Sequence, residues 1–210
     1  MIDQYNILLQ KLDTFIKKFY KNQLIKGAIY CFALLIIFFL LVNLLEYFGH
    51  FNSNTRTVIF YFYIIFNALL IGWYVVYPLS KLFKIGRRIS NEQAAEIIGD
   101  HFTDIGDKLL NTLQLKELAG NQTTNLDLVN AGIDQKIADL KPVPFVKAVD
   151  FKSNRKYLKY ALIPLFVVVI LLLSSPKILT EPANRLVKHN THFEKSFPFT
   201  LNILNEDLQV

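Results

Sequence analysis

Charged residues are absent from two long stretches of this sequence, 27–45 and 57–79. A helix needs roughly 20 mainly apolar residues to cross the ~30 Å hydrocarbon core of a bilayer, and both stretches reach that length. A shorter uncharged stretch, 160–175, is lengthened by Tyr157 and Leu158, while Lys159 can extend its ammonium group to the interface. The sequence therefore predicts a membrane protein with three transmembrane helices, at 27–45, 57–79 and 157–175.

Cysteine is nearly missing as well, since Cys31 is the only one and lies inside the first uncharged stretch. This excludes a disulfide within the chain and a cysteine-based zinc site. The sequence also lacks a P-loop, a glycine-rich dinucleotide turn and a GxSxG elbow. We therefore predict no catalytic, cofactor-binding or metal-ligating residue, and we expect the protein not to be an enzyme.

Lysine and arginine total 23 against 17 acidic residues, and their distribution predicts a topology. Five basic residues precede the first span, one lies in the 46–56 loop, 13 lie between residues 80 and 159, and four follow the third span. Basic residues favour the cytoplasmic side of a membrane, so both termini can be assigned: the N-terminus inside and the C-terminus outside. We expect no nucleic-acid partner, because no element combines a basic stripe with stacking aromatics.

Residues 1–26 have apolar side chains at helical spacing, with lysines on the other faces. This pattern predicts a cytoplasmic amphipathic helix that lies on the inner leaflet or packs on the neighbouring cytoplasmic segment. A groove ligand for a partner protein is a further alternative. The apolar positions are Tyr5, Leu8, Leu12, Phe15, Ile16 and Phe19.

Residues 80–156 are predicted to form a small cytoplasmic helical insert of three short helices. Ser90 and Gln93 have the spacing of a capping box. Asp104 or Asp107 can cap the second helix, and Gly120 is its expected end; the third starts near Asn125 and stops before the KPVP sequence. Their apolar stripes must pack together or against the membrane surface. The predicted core positions are Ala94, Ala95, Ile97, Ile98, Phe102, Leu109, Leu110, Leu113, Leu118, Leu126, Val129, Ile133, Ile137 and Leu140.

Residues 176–210 are expected to be a periplasmic linker followed by strands. Phe199, Leu201 and Ile203 alternate with polar residues, and alternation resumes at Leu208 after a predicted turn. A two-stranded ribbon is not stable alone, so we expect the start of a β-rich domain that continues beyond Val210. The predicted fold class is mainly α: three transmembrane helices, the cytoplasmic insert, and the start of this extracytoplasmic β-rich domain.

Two amide side chains, Asn43 and Asn67, lie within the predicted spans. Asparagine in hydrocarbon finds a hydrogen-bond partner, so we predict helix packing within the chain; contact in a homo-oligomer and a transport path are alternatives. Because the uncharged stretches hold no ionisable side chain apart from Cys31 and tyrosines, an ion-coupled carrier is disfavoured.

Two polar clusters outside the spans have structural explanations. His189, His192 and Glu194 resemble a metal site by spacing, but the segment offers no HExxH helix, and we interpret it as a solvated linker. The second cluster lies near a predicted helix junction, where capping and the helix dipole favour acids without catalysis. Its members are Asp100, His101, Asp104 and Asp107.

The stretch AAEIIGDHFTDIGDKLLNTLQL, with two spans before it and one after, resembles a known family. The shared pattern is a helix of small residues, an acid near an aromatic, and D-x-L-L-x-x-x-Q-L, here Asp107, Leu109, Leu110, Gln114 and Leu115. This pattern is similar to the N-terminal region of Gram-negative inner-membrane proteins catalogued as domain of unknown function 4175. The resemblance implies a bacterial inner-membrane location and a long region after the third span, but no activity.

We therefore expect a non-enzymatic anchor or scaffold subunit of a bacterial cell-envelope complex, displaying a periplasmic β-rich region. The alternative is a transmembrane signalling subunit that couples a periplasmic domain to the cytoplasmic insert. Expected partners are the lipid bilayer and other envelope proteins, with a homo-oligomer left open. The residues that we predict to pack helices or contact partners are Asn43, Asn67, Asp107, Leu109, Leu110, Gln114 and Leu115.

Overall fold

The computed structural model describes residues 2–120, 126–191 and 193, with side chains described for 4–117, 131–191 and 193. The predicted core positions Leu118, Leu126 and Val129 lie outside the ranges with described side chains, and the predicted strands after residue 198 lie outside both sets of ranges. In the described part the chain is mainly helical and has no strand, which confirms the α class. The elements are α1 (Ile2–Gly49), α2 (Ser53–Ile71), a π-helical segment (Gly72–Val76), α3 (Tyr77–Leu82), α4 (Asn91–His101), α5 (Gly106–Gly120), α6 (Leu126–Leu140), 3-10 turns at Phe145–Ala148 and Lys152–Asn154, α7 (Arg155–Ser174) and α8 (Lys177–Val187).

Three helical stretches are long and apolar enough to cross a membrane: Gln4–Gly49, Ser53–Leu82 and Phe145–Ser174. They contain the first two predicted spans and all of the third except residue 175. The predicted amphipathic helix and the first span form one uninterrupted helix, α1, because no proline or capping residue separates them.

The connection between α1 and α2 is shorter than the predicted 46–56 loop. α1 ends where His50 adopts a left-handed conformation, with φ at 43°, and its N–H bonds to the carbonyl of Glu46. Asn52 caps α2 by accepting a hydrogen bond from the Thr55 N–H at 3.0 Å. Only residues 50–52 therefore join the two helices, and Glu46 and Arg56 belong to helices rather than to a loop.

The π-helical segment has a local cause in Pro78, which follows it in α3. Proline has no N–H, so the carbonyl of Tyr74, four residues earlier, lacks its usual α-helical donor. The Tyr77 N–H instead bonds five residues back to Gly72. Gly27 of α1 lies against this freed carbonyl: a Cβ at Gly27 would be 2.3 Å from the Tyr74 oxygen. A glycine is thus needed for the close approach.

The chain divides into two compact units, Met1–Leu35 with Ala68–Leu165, and Ile36–Asn67 with Phe166–Val210. The first unit has a hydrophobic core in which α1 packs with α4, α5, α6 and the turn at Phe145–Ala148. Of the two placements predicted for residues 1–26, packing on the neighbouring segment is therefore the observed one. The buried core residues are Leu8, Leu12, Phe15, Ile16, Tyr20, Ala94, Ala95, Ile98, Leu109, Leu113, Ile133, Ile137, Leu140, Phe145 and Val149.

Helix starts in the first unit agree in part with the predicted caps. Ser90 and Gln93 form the predicted capping box: the Gln93 N–H donates to Ser90 Oγ at 3.2 Å, and the Ser90 N–H donates to Gln93 Oε1 at 3.0 Å. α5 begins at Gly106, so Asp107 lies in its first turn rather than at the cap. A carboxylate there is still favoured by the helix dipole.

Two glycines bring α4 and α5 into backbone contact. A Cβ built on Gly99 would lie 2.7 Å from the Cα of Gly106, whereas a Cβ on Gly132 of α6 would meet nothing within 4 Å. We expect Gly99→Ala to lower the free energy of unfolding by about 1–3 kcal/mol, because backbone must move. Gly132→Ala should raise it by about 0.8–1 kcal/mol through helix propensity. Thermal unfolding of the full chain in detergent measures both changes in stability. If the two variants changed stability equally and in the same direction, the close contact between Gly99 and Gly106 would be contradicted.

The second unit is built from the end of α1, most of α2, the end of α7, and α8. Phe38 packs on the α2 rings, with centroids 4.5 Å from Phe66 and 5.5 Å from Tyr63. α8 occupies part of the segment predicted to be a linker. Its buried residues Leu179, Pro182 and Leu186 lie on one helical face, so the helix forms because it has a surface to cover.

Candidate functional site

The second unit contains a buried ion pair between α1 and α2. The Nε of Arg56 donates to Glu46 Oε1 at 3.1 Å, and the two side chains are only 4% and 0% exposed. Two charges leave water at considerable cost, which a buried pair offsets only when further hydrogen bonds satisfy both groups. Among the described residues the pair is the only ion bridge that is buried on both sides.

The two other nitrogens of Arg56 donate to backbone, whereas the buried Oε2 of Glu46 has no hydrogen-bond partner among the described residues. Arg56 Nη2 donates to the carbonyl of Phe51 at 2.8 Å, and its Nη1 donates to the carbonyl of Thr191 at 3.3 Å. The guanidinium also lies over the ring of Phe193, 5.0 Å from the centroid. We call Arg56 and the three groups that it binds, on Glu46, Phe51 and Thr191, the Arg56 bridge. It links the start of α2 to the segment that follows α8.

Three more residues of α2 hold this segment at His189. Ser53 Oγ donates to the His189 carbonyl at 2.8 Å, and Thr57 Oγ1 lies 3.1 Å from His189 Nδ1. The imidazole stacks on Phe60, with ring centroids 4.6 Å apart. His189 is therefore packed against α2. The interpretation of this segment as a solvated linker is wrong for His189. His192 and Glu194 lie outside the described residues, so the predicted absence of a metal site there stays a prediction.

An apolar cavity of about 100 Å³ lies beside the bridge, between the hairpin and α8. Asn43 lines it and is 1% exposed; its Nδ2 donates to the Phe39 carbonyl at 2.8 Å, and its Oδ1 has no partner among the described residues. The cavity is otherwise lined by Phe39, Val42, Phe60, Tyr63, Ala183, Leu186 and Val187. Burying the Oδ1 of Asn43 in an apolar cavity without a hydrogen-bond donor costs free energy, and a donor that reached it would remove that cost.

The two predicted asparagines bond within their own helices. Asn67 Nδ2 donates to the Tyr63 carbonyl at 2.7 Å, four residues back, as Asn43 does to Phe39. Neither makes a hydrogen bond to another helix within the described ranges. Each keeps a buried Oδ1 without a partner, so the alternatives of packing, oligomer contact and transport stay open.

The family-like motif falls in the first unit. Leu109 is fully buried, and Leu110 and Leu115 pack against the same core, whereas Asp107 and Gln114 are exposed. The apolar part of the motif therefore serves the core of this unit. The two polar positions remain available for a partner.

The first unit also has a partly exposed ionic network around Asp13. Lys17 Nζ lies 2.9 Å from its carboxylate, Arg88 3.0 Å and Lys84 3.7 Å. The hydrogen bond from Lys17 is the main reason that the pKa of Asp13 lies below its usual value; partial burial opposes this, and the Arg88 hydrogen bond adds to it. The network connects α1 to the segment before α4.

No family model, curated protein or solved structure matches the chain. The resemblance of Asp107, Leu109, Leu110, Gln114 and Leu115 to the inner-membrane family therefore stays a prediction. In the described ranges, no group of three His, Cys, Asp or Glu residues is arranged to hold a metal ion.

Sequence reasoning assigned Glu46 and Arg56 to a loop and did not identify their pairing. A signal was present, because one acid and one base flank a short polar stretch between two apolar helices and can face each other across a tight hairpin. The spacing of Leu179, Pro182 and Leu186 at three and four residues was likewise a sign of α8.

Proposed function

We propose that this chain is a non-enzymatic anchor in a bacterial inner membrane, with its N-terminus in the cytoplasm and its C-terminus in the periplasm. The observation that carries the proposal is the Arg56 bridge. A buried guanidinium holds the backbone at Thr191, so the chain leaves the membrane hairpin in a fixed position. An anchor that displays a following region needs such a fixed exit.

The orientation is supported by the basic residues, which are concentrated before the first span and between the second and third. In this proposed orientation the core of the first unit is cytoplasmic and residues 176–210 are periplasmic. The alternating residues Phe199, Leu201 and Ile203 support a β-rich region there. Its role is to engage other envelope proteins, as a scaffold subunit does.

The test places single cysteines on the two sides of the proposed membrane. In a Cys31→Ala background, exposed Asn190 and exposed Lys136 are each replaced by cysteine, and intact spheroplasts are treated with an impermeant maleimide. We expect labelling at Asn190 before lysis and at Lys136 only after it. A photo-crosslinking residue is then introduced at Asn190 or at Lys136, and we expect a recurring adduct with an envelope protein from Asn190.

Each readout can contradict the proposal separately. Labelling of Lys136 in intact spheroplasts would reverse the topology. Correct topology with adducts from Lys136 alone would contradict a periplasmic scaffold and favour the signalling alternative, in which the cytoplasmic insert carries the contact.

A further inference from the structure

Three lysines and three tyrosines of the first unit form a compact cluster at the start of α7 and beside the middle of α1, where its uncharged stretch begins. Tyr30 of α1 lies against two rings of α7, with centroids 5.2 Å from Tyr157 and 6.3 Å from Tyr160. Lys26 Nζ is 4.8 Å and Lys156 Nζ 5.1 Å from the Tyr157 centroid, and Lys159 Nζ is 5.3 Å from that of Tyr160. The lysine–tyrosine cluster thus consists of Lys26, Tyr30, Lys156, Tyr157, Lys159 and Tyr160.

The positive charge of this cluster is not balanced. In the described ranges, no Asp or Glu forms an ion pair with any of its three lysines. Two of the ammonium groups, those of Lys26 and Lys156, lie near the same ring, that of Tyr157. α7 begins at Arg155, and its first turn has no acid, so the positive end of the helix dipole adds to the excess.

Uncharged helix extends from the cluster on both elements, over 28–45 of α1 and 160–174 of α7. A ligand that matches this arrangement has an anion at one end and hydrocarbon at the other. Tyrosine rings suit the boundary between them, because their hydroxyls bond to polar groups while their faces contact apolar chains. A soluble phosphate would satisfy the lysines but leave the neighbouring apolar surface unmatched.

We propose that the lysine–tyrosine cluster binds the phosphate headgroup of one anionic phospholipid, whose acyl chains lie along α1 and α7. The three ammonium groups neutralise the phosphate, and the rings surround the glycerol region. Basic pockets between membrane helices recognise anionic headgroups in this way. The inference needs only a membrane location and is independent of the proposed anchoring function and its orientation.

The test is native mass spectrometry of the detergent-purified full chain titrated with phosphatidylglycerol or phosphatidylcholine. We expect one phosphatidylglycerol molecule to bind before any phosphatidylcholine does. Lys26→Gln/Lys156→Gln/Lys159→Gln should weaken that binding by about tenfold or more, since each basic residue near an anionic surface contributes on the order of 1 kcal/mol.

A matched variant controls for total charge. Lys108→Gln/Lys136→Gln/Lys141→Gln removes three exposed lysines outside the cluster and should bind phosphatidylglycerol as the native chain does. Equal loss in both triple variants would overturn the site, as would equal binding of the two lipids. Displacement of the lipid by excess glycerol 3-phosphate would show a soluble-anion site and would also overturn the proposal. Five of the six replaced lysines are exposed and Lys26 is half-buried, so circular dichroism should confirm that both variants fold.

Discussion

Arg56→Leu is expected to destabilise the second unit by about 3–5 kcal/mol. The substitution leaves the carboxylate of Glu46, which is fully buried, without its counter-charge, and removing one partner of a buried pair has a cost of this order. It also frees the carbonyls of Phe51 and Thr191, which lose their guanidinium donors. The midpoint of thermal unfolding in detergent, followed by circular dichroism, measures the effect.

A double-mutant cycle separates the charge from the other contacts. Glu46→Leu/Arg56→Leu removes both ions and should be more stable than Arg56→Leu, because apolar residues of similar volume often replace a buried pair at little cost. Full recovery is not expected, since two carbonyls stay without their donor. If Arg56→Leu alone lowered stability by less than about 1 kcal/mol, the pair would not be buried as described.

Phe15→Ala should lower the free energy of unfolding of the first unit by about 3–5 kcal/mol. Phe15 is fully buried in the core that α1 shares with α4, α5 and α6, and truncation leaves a cavity lined by that core. In a chain of this length such a loss lowers the unfolding midpoint by roughly 10 °C. Thermal unfolding in detergent measures it.

Phe83→Ala is the matched control, because Phe83 belongs to the same unit and is 68% exposed. Its effect on stability should stay within about 0.5 kcal/mol. The pair distinguishes core packing from a helix that lies on the leaflet: if Phe15→Ala had an effect as small as Phe83→Ala, the beginning of α1 would face lipid or solvent. Detergent exchange should not change the difference between the variants.

The features that the sequence predicted well depend on local pattern. The spans follow from long uncharged runs, and the capping box follows from the fixed spacing of Ser90 and Gln93. The buried stripe of the first 26 residues follows from helical periodicity. The sequence could not predict whether this stripe packs against the membrane leaflet or against a protein core, because a helix presents the same apolar face to either surface.

The features that the sequence did not predict depend on contacts between different helices. Whether Glu46 and Arg56 pair depends on where α1 ends, which the left-handed conformation of His50 decides. α8 falls in the segment predicted to be a linker, because that segment contains prolines, serines and charged residues and shows no sustained apolar period. Its stability comes from the surface that Leu179 and Leu186 cover, which no local pattern reveals.

The three-residue connection between α1 and α2 has a consequence for biosynthesis. α1 and α2 form a helical hairpin in which Glu46 and Arg56 face each other, so a machinery that inserts the two helices together inserts both charges together. Each charge alone would oppose entry into the bilayer by up to roughly 3 kcal/mol, less near the interface. As a pair they enter with no net charge, so partition of the hairpin into lipid and formation of its ion pair become a single step.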